Sequence, residues 1–319
     1  MTQGLMAPIL NRLSPGGARG KLQVFIFHRI LAKPDSLLPG EPDAKQFDWM
    51  VRLIGRNFNV LPFGRAVSLL KSGSLPKAAA CITFDDGYKD NFSVALPILQ
   101  RHGLTATFFI ATSFLDGGRM WNDDIIEAIR LLPNETADLK EFGLDRYDLT
   151  TPTNRVNAIG TILGKLKYQP HGQRQAVARK IAQHAGVDDR SGLMMSADDV
   201  RAMRTAGMEL GGHTHSHPIL KSLTDDEAYS EITRGKSELE TVLSEQVKVF
   251  AYPNGNPQLD LSPQHIEMIR QAGFTAAATT QQAIATVKTD PFMMPRFTPW
   301  DRTPAKFGIR CALALARRT

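Results

Sequence analysis

Cysteine is almost absent from the sequence, which has only Cys81 and Cys311 among its 319 residues. A framework of several disulfides is therefore excluded as the main source of stability. Cys81 lies inside an apolar segment that predicts a core strand, where a cysteine usually acts as a small packed hydrophobic residue. The chain must instead rely on a large apolar core, and its 42% hydrophobic content is sufficient for one.

Long hydrophobic runs are also missing. No stretch approaches the roughly 18 apolar residues that a membrane-spanning helix requires. The short apolar run from Leu5 to Leu10 is broken by Pro8 and followed by polar residues. It lacks the long apolar region and small-residue cleavage site of a secretory signal. The sequence therefore predicts a cytoplasmic protein with no transmembrane segment.

Charge runs and internal repeats are absent as well. The formal net charge is +6, and the basic residues are spread along the chain. A nucleic-acid-binding protein usually concentrates them on one face or helix. The composition therefore predicts an ordinary globular protein that does not bind nucleic acid.

Residues 80–88 (ACITFDDGY) form the first candidate site. An apolar run ends in two adjacent carboxylates, Asp85 and Asp86, followed by Gly87. This pattern predicts a buried strand whose carboxyl end leads into a turn. In α/β folds, chemistry is concentrated at that end of the strands. The alternative is an Asx turn that caps the next helix.

Segments with strand and helix patterns alternate along much of the chain. Strands are predicted at 21–30, 59–62, 79–85, 105–112, 208–213, 247–252, 275–280 and 292–297. Helices are predicted at 44–57, 64–71, 91–101, 225–243 and 263–272. Short-range alternation of this kind predicts an α/β fold with a parallel sheet, either open or closed into a barrel.

The alternation is interrupted between about residues 117 and 200. This part is polar and helical, with helices predicted at 121–132, 154–167, 174–185 and after Ser196, and with no predicted strand. We interpret it as a helical insertion that forms a wall or lid over the site. The predicted organisation is then a loose N-terminal lead-in (1–20), a barrel with this insertion (21–302) and a basic amphipathic helix (303–319).

Residues 213–218 (HTHSHP) form the second candidate site, with three histidines in five positions. His213 and His217 share a face if a helical turn begins here, whereas His213 and His215 share one if the strand continues. Pro218 and the glycine pair at 211–212 favour the end of the strand, and hence the pair His213 and His217. The alternative is a loop of solvated histidines.

Two histidines and one carboxylate make a three-ligand site with an open position, typical of a catalytic divalent metal. Asp86 is the natural third ligand, which leaves Asp85 free to take a proton from water. Zn²⁺ suits this donor set best, and Co²⁺, Ni²⁺ or Fe²⁺ also fit it.

Together, segments 83–87 (TFDDG) and 213–218 resemble the motifs of the polysaccharide deacetylases, carbohydrate esterase family four. Residues 250–255 (FAYPNG) are similar to the third motif of that family. The resemblance covers roughly residues 20–300. It implies a distorted (β/α) barrel of about seven strands and hydrolysis of N-acetyl groups on amino-sugar units of a polysaccharide or glycan precursor.

The resemblance also implies roles for single residues. Asp85 matches the general base, and Asp86, His213 and His217 match the metal ligands. The backbone N–H of Asn254 matches the oxyanion donor, although the family often has tyrosine there.

Two further residues complete the predicted substrate-binding set. They are Tyr252, from the third motif, and Trp300, which follows the candidate arginine motif at 295–297.

The general acid and the arginine of the family cannot be assigned at their usual positions in this sequence. No late hydrophobic-X-His motif is present, but residues 26–28 (IFH) place His28 near the N-terminus. This arrangement resembles a permuted branch of the family that acts on extracellular poly-N-acetylglucosamine. A structural histidine is the alternative. Arg296 is the candidate that orients Asp85, with Arg29 as its rival and a surface arginine as the alternative for either.

Two other functions remain open at this stage. One is a metal amidohydrolase that acts on a small amide through His213 and His215. The other is a carbohydrate-binding module without activity.

The predicted location raises a question of its own, because a cytoplasmic deacetylase implies a nucleotide- or lipid-linked sugar substrate, or unconventional export. Residues 5–10 and the basic C-terminal helix suggest weak contact with a membrane surface. The alternative is that the helix packs on the barrel.

Overall fold

The computed structural model describes residues 6–188 and 192–317. The strands are β1 (Leu22–Phe27), β2 (Asn59–Val60), β3 (Ala79–Phe84), β4 (Thr107–Ile110), β5 (Thr136–Asp138), β6 (Arg146–Asp148), β7 (Glu209–Gly212), β8 (Val249–Ala251) and β9 (Ala276–Ala278). The α-helices are α1 (Ala7–Leu13), α2 (Ala44–Asn57), α3 (Phe63–Lys71), α4 (Leu96–Arg101), α5 (Trp121–Leu131), α6 (Pro152–Leu166), α7 (His171–His184), α8 (Ala197–Thr205), α9 (Asp225–Leu243), α10 (Pro263–Gln271) and α11 (Pro304–Ala316).

Seven of these strands form one parallel sheet in the order β1-β3-β4-β7-β8-β9, with β2 beside β3. β3 pairs with β1 over its whole length, from Leu22 opposite Ala79 to Phe27 opposite Phe84. Because the strands are parallel, their carboxyl ends meet at one edge of the sheet. Asp85 and Asp86 follow β3 at that edge, and the histidine segment 213–217 follows β7.

The extended segment 294–297 joins the two edges of the sheet. Met294 bridges to Ala278 of β9, and Phe297 bridges to Phe25 of β1, both in parallel. The Phe297 N–H donates to the carbonyl of Val24 at 2.7 Å. The sheet therefore curls into a distorted (β/α) barrel, as the sequence predicted, and the predicted strand at 292–297 fills the gap between β9 and β1.

The two faces of the sheet carry side chains of different size. The inner face is rich in small residues, such as Ala79, Cys81 and Ala251. The outer face carries aromatic rings, such as Phe84 and Phe250, which pack against the surrounding helices. Both faces are buried, as expected for a parallel sheet.

The insertion has a hydrophobic core of its own, built mainly from α5, α6 and α7. The three helices that the sequence predicted there are confirmed within a few residues. The absence of strands was wrong, because β5 and β6 pair as an antiparallel hairpin. Val200 and Met203 of α8, at and just after the predicted boundary near residue 200, pack in the core of the barrel.

The chain termini pack against each other. The predicted loose lead-in is wrong for residues 7–13, which form α1, with Leu10 fully buried. In α11, Phe307, Cys311 and Leu315 are buried in the barrel core, so this helix packs on the barrel. Leu5 and Arg318, which contributed to the predicted membrane contact, lie outside the described residues. Across residues 6–188 and 192–317, no helix is both long enough and apolar enough to cross a bilayer.

Candidate active site

The turn after β3 sends its two carboxylates in different directions. Asp86 has a φ of 79° and Gly87 a φ of 91°, both in the left-handed region. The Asp85 N–H still donates to the carbonyl of Phe27, which keeps Asp85 in line with the strand. The change of hand at Asp86 therefore gives the neighbouring carboxylates different partners.

Asp85 is held by Arg296 in a bidentate ion pair. Nη1 and Nη2 of Arg296 each donate to one carboxylate oxygen of Asp85 at 2.7 Å. Nε of Arg296 donates to the carbonyl of Thr279 at 2.8 Å, and the arginine is fully buried. Burial raises the pKa of Asp85, but the charges of Arg296 and His213 outweigh it, so the pKa lies below its usual range. Asp85 is therefore ionised and fixed in orientation.

Arg29, the rival arginine, has another partner. Its Nε donates to Asp90 at 2.8 Å, and the second oxygen of Asp90 accepts from the N–H of Ile30. The neighbouring Asn91 donates to the carbonyl of His28 at 2.8 Å. Asp90 and Asn91 thus brace the end of β1 that carries His28, and Arg296 is the arginine in contact with Asp85.

Asp86, His213 and His217 come together as the sequence predicted. Nε2 of each histidine lies 3.3 Å from the same oxygen of Asp86. The three potential ligand atoms all lie within 4.8 Å of one another. That oxygen, Oδ1, is buried without a hydrogen-bond partner. An orphaned buried carboxylate oxygen facing two imidazole nitrogens is what a divalent metal site requires, so the residues fit such an ion.

The tautomer of His213 is set by the backbone. Its Nδ1 lies 2.7 Å from the carbonyl of Ala251, which only accepts, so Nδ1 carries the proton. Nε2 is then an acceptor facing Asp86, and a ligand histidine anchored through its other nitrogen is the usual arrangement in metal sites.

The backbone of the ligand loop, residues 213–217, is strained and closely supported. Thr214 and His217 both have positive φ, at 66° and 57°. The Thr214 hydroxyl donates to the carbonyl of His213 and accepts from the N–H of His217, so it links the two ligand residues. A Cβ on Gly235 of α9 would lie 2.4 Å from the carbonyl carbon of Thr214. Only glycine at this position lets the helix touch the loop.

His215 points away from the ligands. Its Nδ1 lies 2.7 Å from Glu238 and 3.2 Å from the hydroxyl of Thr112. The amidohydrolase hypothesis, which pairs His215 with His213, is therefore wrong in its geometry. The left-handed residue Thr214 ends the strand alternation that would have placed the two on one face.

Burial and the neighbouring charges shift the pKa values of the ligands in different directions. Burial raises the pKa of Asp86, but the charges of His217, His213 and His28 reverse this and hold it well below its usual range. Burial, helped by the charge of His213, lowers the pKa of His217 to about 3. Burial also lowers the pKa of His213, but Asp85 and Asp86 outweigh it and raise the pKa overall.

His28 lies near Asp86, one of the candidate metal ligands. With Asp86 it lines a cavity of about 210 Å³, which also includes Glu41, Tyr88 and Asp123. The structure therefore places the predicted acid in the same cavity as Asp86, a candidate metal ligand.

The three predicted substrate-binding residues are placed differently. Asn254 has a φ of 58°, and its N–H has no acceptor within the described parts of the chain. Tyr252 is not brought to the site, because its ring is fully buried on the outer face of β8 against Phe250. Trp300 is 59% exposed, and its ring lies beside Arg310 rather than among the metal ligands.

Several residues of the site were missed from the sequence. Glu231 of α9 accepts from the N–H groups of His215 and Ser216 and anchors the ligand loop. Asp123 of α5 is 2% exposed and accepts from the hydroxyl of Tyr88. Burial raises the pKa of Asp123 to about 7. A carboxylate in the first turn of a helix is an ordinary sequence feature, and only the burial marks it.

The model of the polysaccharide deacetylase family matches residues 72–277. This chain belongs to the polysaccharide deacetylase family. The Bacillus subtilis (strain 168) protein YxkH, whose name assigns it provisionally to the polysaccharide deacetylases, is 19% identical over 266 residues. The match covers 83% of this chain and 66% of YxkH, so the chain spans just under two thirds of that relative.

Several solved structures share the fold. The Streptococcus pyogenes deacetylase PplD, in complex with acetate, aligns with a TM-score of 0.63 at 16% identity, covering 92% of this chain and 98% of PplD. IcaB from Ammonifex degensii aligns with a TM-score of 0.58 at 17% identity, covering 93% and 97%. A de-N-acetylase from Aggregatibacter actinomycetemcomitans aligns with a TM-score of 0.58 at 15% identity, covering 92% and 99%. At these identities the likeness concerns the fold.

Proposed function

We propose that this protein is a metal-dependent hydrolase that removes N-acetyl groups from amino-sugar units of a polysaccharide or glycan precursor. The observation that carries the proposal is that a candidate metal site lies next to a carboxylate of fixed orientation. The carboxylate of Asp86 faces the imidazoles of His213 and His217, and Asp85 beside it is fixed by Arg296. Membership of the deacetylase family supports the reaction class.

Asp86, His213 and His217 would hold the metal, and Zn²⁺ is our first choice, with Co²⁺, Ni²⁺ or Fe²⁺ as alternatives. A divalent ion bound there would supply Lewis acidity for the acetyl carbonyl and for a water molecule. The buried, orphaned oxygen of Asp86 and the anchored tautomer of His213 support this assignment.

The remaining steps belong to side chains and backbone of this chain. Asp85 accepts the proton of the attacking water, and Arg296 keeps its carboxylate oriented and ionised. The N–H of Asn254 donates to the oxyanion that develops on the acetyl oxygen. His28 donates a proton to the leaving nitrogen, which is a poor leaving group as an anion. The products are acetate and a free amino sugar.

The proposal also extends to the substrate and its location. The position of His28 directly after β1, near the N-terminus, resembles the permuted branch of the family, and this resemblance favours an exopolysaccharide of N-acetylglucosamine as the substrate. The exposed ring of Trp300 is available to stack on a sugar. The cytoplasmic location stays a prediction, to be tested by cell fractionation.

Acetate release from a panel of N-acetylated oligosaccharides tests the function. We expect chelator to abolish release and added divalent metal to restore it. Asp85→Asn and His213→Ala should each lower the rate of acetate release by a factor of about 10² to 10⁴, because each removes one essential group. Asp198→Asn and His184→Ala change the same residue types at exposed positions and serve as matched controls.

Metal content separates this enzyme from a module without activity. His217→Ala should lose bound metal, whereas His215→Ala should keep it, because only His217 faces Asp86. Full acetate release by Asp85→Asn or His213→Ala, or none from the metal-loaded wild type on any substrate, would contradict the proposal.

A further inference from the structure

The outer side of α11 carries an apolar stripe that no described residue covers. Ile309 and Leu313 are each 59% exposed, although both are large and apolar. Ala305 and Ala316 are exposed on the same side, at positions that repeat with the period of a helix. We call these four residues the α11 stripe.

The neighbouring helix α1 extends this apolar surface. α1 packs along α11, with Met6 against Gly308 at one end. At the other end, Nζ of Lys21 donates to the carbonyl of Leu315 at 2.6 Å. Ile9 of α1 is 55% exposed. The other large exposed apolar residues lie outside α1 and α11, and they are Leu131, Tyr168, Tyr229, Leu259 and Trp300.

A groove opens beside the stripe, between α1, α2 and α11. It has a volume of about 320 Å³, and its apolar lining comes from Met6, Trp49, Leu53, Pro304 and Ala305. Arg52 and Arg56 line it as well. They lie one helical turn apart on α2, and both are exposed. Neither has an ion-pair partner among residues 6–188 and 192–317.

The charge of this face is mostly positive. α1 and α11 contain Arg12, Lys306 and Arg310 and no acidic residue, although Arg310 pairs with Asp301, just before α11, at 3.1 Å. An apolar stripe flanked by basic side chains, with an apolar groove whose arginines are unpaired, matches the chemistry of an anionic lipid surface. A protein partner would need to supply a matching acidic and apolar surface, and nothing in the described chain indicates one.

We propose that the α11 stripe, Ile9 and the α2 groove bind the surface of a membrane that contains anionic phospholipids. The stripe lies at the boundary between headgroups and acyl chains, and Arg52 and Arg56 contact lipid phosphates. The face lies on the outer helical layer, whereas the metal ligands follow the carboxyl ends of the strands. Lipid contact there leaves the active-site cavity uncovered.

Co-sedimentation of the whole protein with vesicles tests this surface. We expect binding to vesicles of phosphatidylcholine mixed with phosphatidylglycerol, weaker binding as salt is raised, and no binding to phosphatidylcholine alone. Arg52→Gln combined with Arg56→Gln should weaken binding about 25-fold, since each basic side chain near an anionic surface contributes about fivefold. Ile309→Gln combined with Leu313→Gln should weaken it about tenfold or more.

Matched variants on other surfaces give the controls. Arg65→Gln with Arg201→Gln, and Leu131→Gln with Leu259→Gln, should bind vesicles as the wild type does. Acetate release from a soluble oligosaccharide should be the same in all four double variants, so vesicle binding can fail while the proposed enzyme activity stands, and the reverse. Equal melting temperatures show that each variant is folded.

Three results would overturn the proposal. The first is the absence of wild-type binding to any vesicle, or equal binding to neutral and anionic vesicles. The second is equal binding by the stripe or groove variants and their controls. The third is a dimer in solution without lipid that Ile309→Gln with Leu313→Gln converts to a monomer, which would show that a second copy covers the stripe.

Discussion

The most deeply buried arginine of the barrel and that of the insertion have different surroundings. Arg296 of the barrel is fully buried in a bidentate pair with Asp85. Arg174 of the insertion is 1% exposed, yet its contacts are the carbonyl of Lys167, the imidazole of His171 and the ring of Trp121. Burial without a carboxylate lowers the pKa of Arg174 to about 10. The arginine of the barrel thus fixes the carboxylate of Asp85, whereas Arg174 has no carboxylate partner among residues 6–188 and 192–317.

The charge of Arg174 acts on the ligand loop from the side of the insertion. The charge of Arg174 adds to the effects that lower the pKa of His217, after burial and His213. His171, bonded to Arg174, lies 3.1 Å from the hydroxyl of Ser216 in the loop. The comparison indicates that the insertion favours the neutral form of His217, whereas the barrel fixes the orientation of Asp85.

The largest expected effect comes from breaking the matched pair. Arg296→Gln leaves Asp85 buried without a counterion and should lower the free energy of unfolding by about 3–5 kcal/mol. Arg174→Met leaves no carboxylate without its partner and should change the free energy of unfolding by about 1 kcal/mol or less. Urea unfolding of both variants measures the difference. Similar losses would mean that the two arginines are equivalent and the comparison is wrong.

A smaller effect concerns one buried carboxyl group in each region, Asp123 in the insertion and Asp85 in the barrel. The pKa of Asp123 is raised to about 7, so between about pH 4 and 7 the folded state holds a proton that the unfolded state has lost. Stability therefore falls as pH rises through this window. Asp85 has a lowered pKa and acts in the opposite sense, because its contribution is present above about pH 4 and is lost as pH falls below it.

Asp123→Asn should remove the fall in stability between about pH 4 and 7 that Asp123 causes. The groups that act on Asp123 are Arg29, Asp86 and Glu127, with Tyr88 hydrogen-bonded to it. Unfolding in chelator at about pH 4, 6 and 8 should show the variant gaining stability relative to wild type as pH rises, by a few kcal/mol at most. A constant difference at the three pH values would show that Asp123 does not titrate in this range.

The smallest effects come from one glycine in each region. A side chain on Gly235 of the barrel meets the backbone of Thr214, whereas a Cβ on Gly164 of α6 has nothing within 4 Å. Gly235→Ala should cost about 1–3 kcal/mol by overpacking and weaken metal binding by moving the ligand loop. Gly164→Ala should stabilise the protein by about 0.5–1 kcal/mol. Unfolding and metal titration measure both, and unchanged metal affinity in Gly235→Ala would argue against close support of the loop.

Much of this architecture is readable from local pattern. The strands buried on both faces, the long capped helices and the carboxylates at the end of β3 are continuous features of the sequence. α2 and α9 begin with capping boxes at Asp43 and Thr224, and their predicted bounds match the structure. The choice of His213 with His217 was also predicted correctly, because glycine and proline around the motif indicated the end of a strand.

The parts that were missed depend on tertiary contacts. β5 and β6 have three residues each and mostly exposed side chains, so they carry no apolar alternation. Tyr252 was assigned to the substrate because it lies in a motif. A strand buried on both faces gives no sign of which side each residue takes. Asp123 and Arg174 became notable only when folding removed them from water.

The segment that closes the barrel also carries Arg296, which meets Asp85 across 211 positions of sequence. During synthesis, Asp85 leaves the ribosome long before its partner is made. Until the last barrel segment docks, the nascent chain has an open sheet edge and a carboxylate without its counterion. A copy truncated before residue 296 therefore lacks both the segment that closes the barrel and the arginine that orients Asp85, so the fold and the candidate site are completed together.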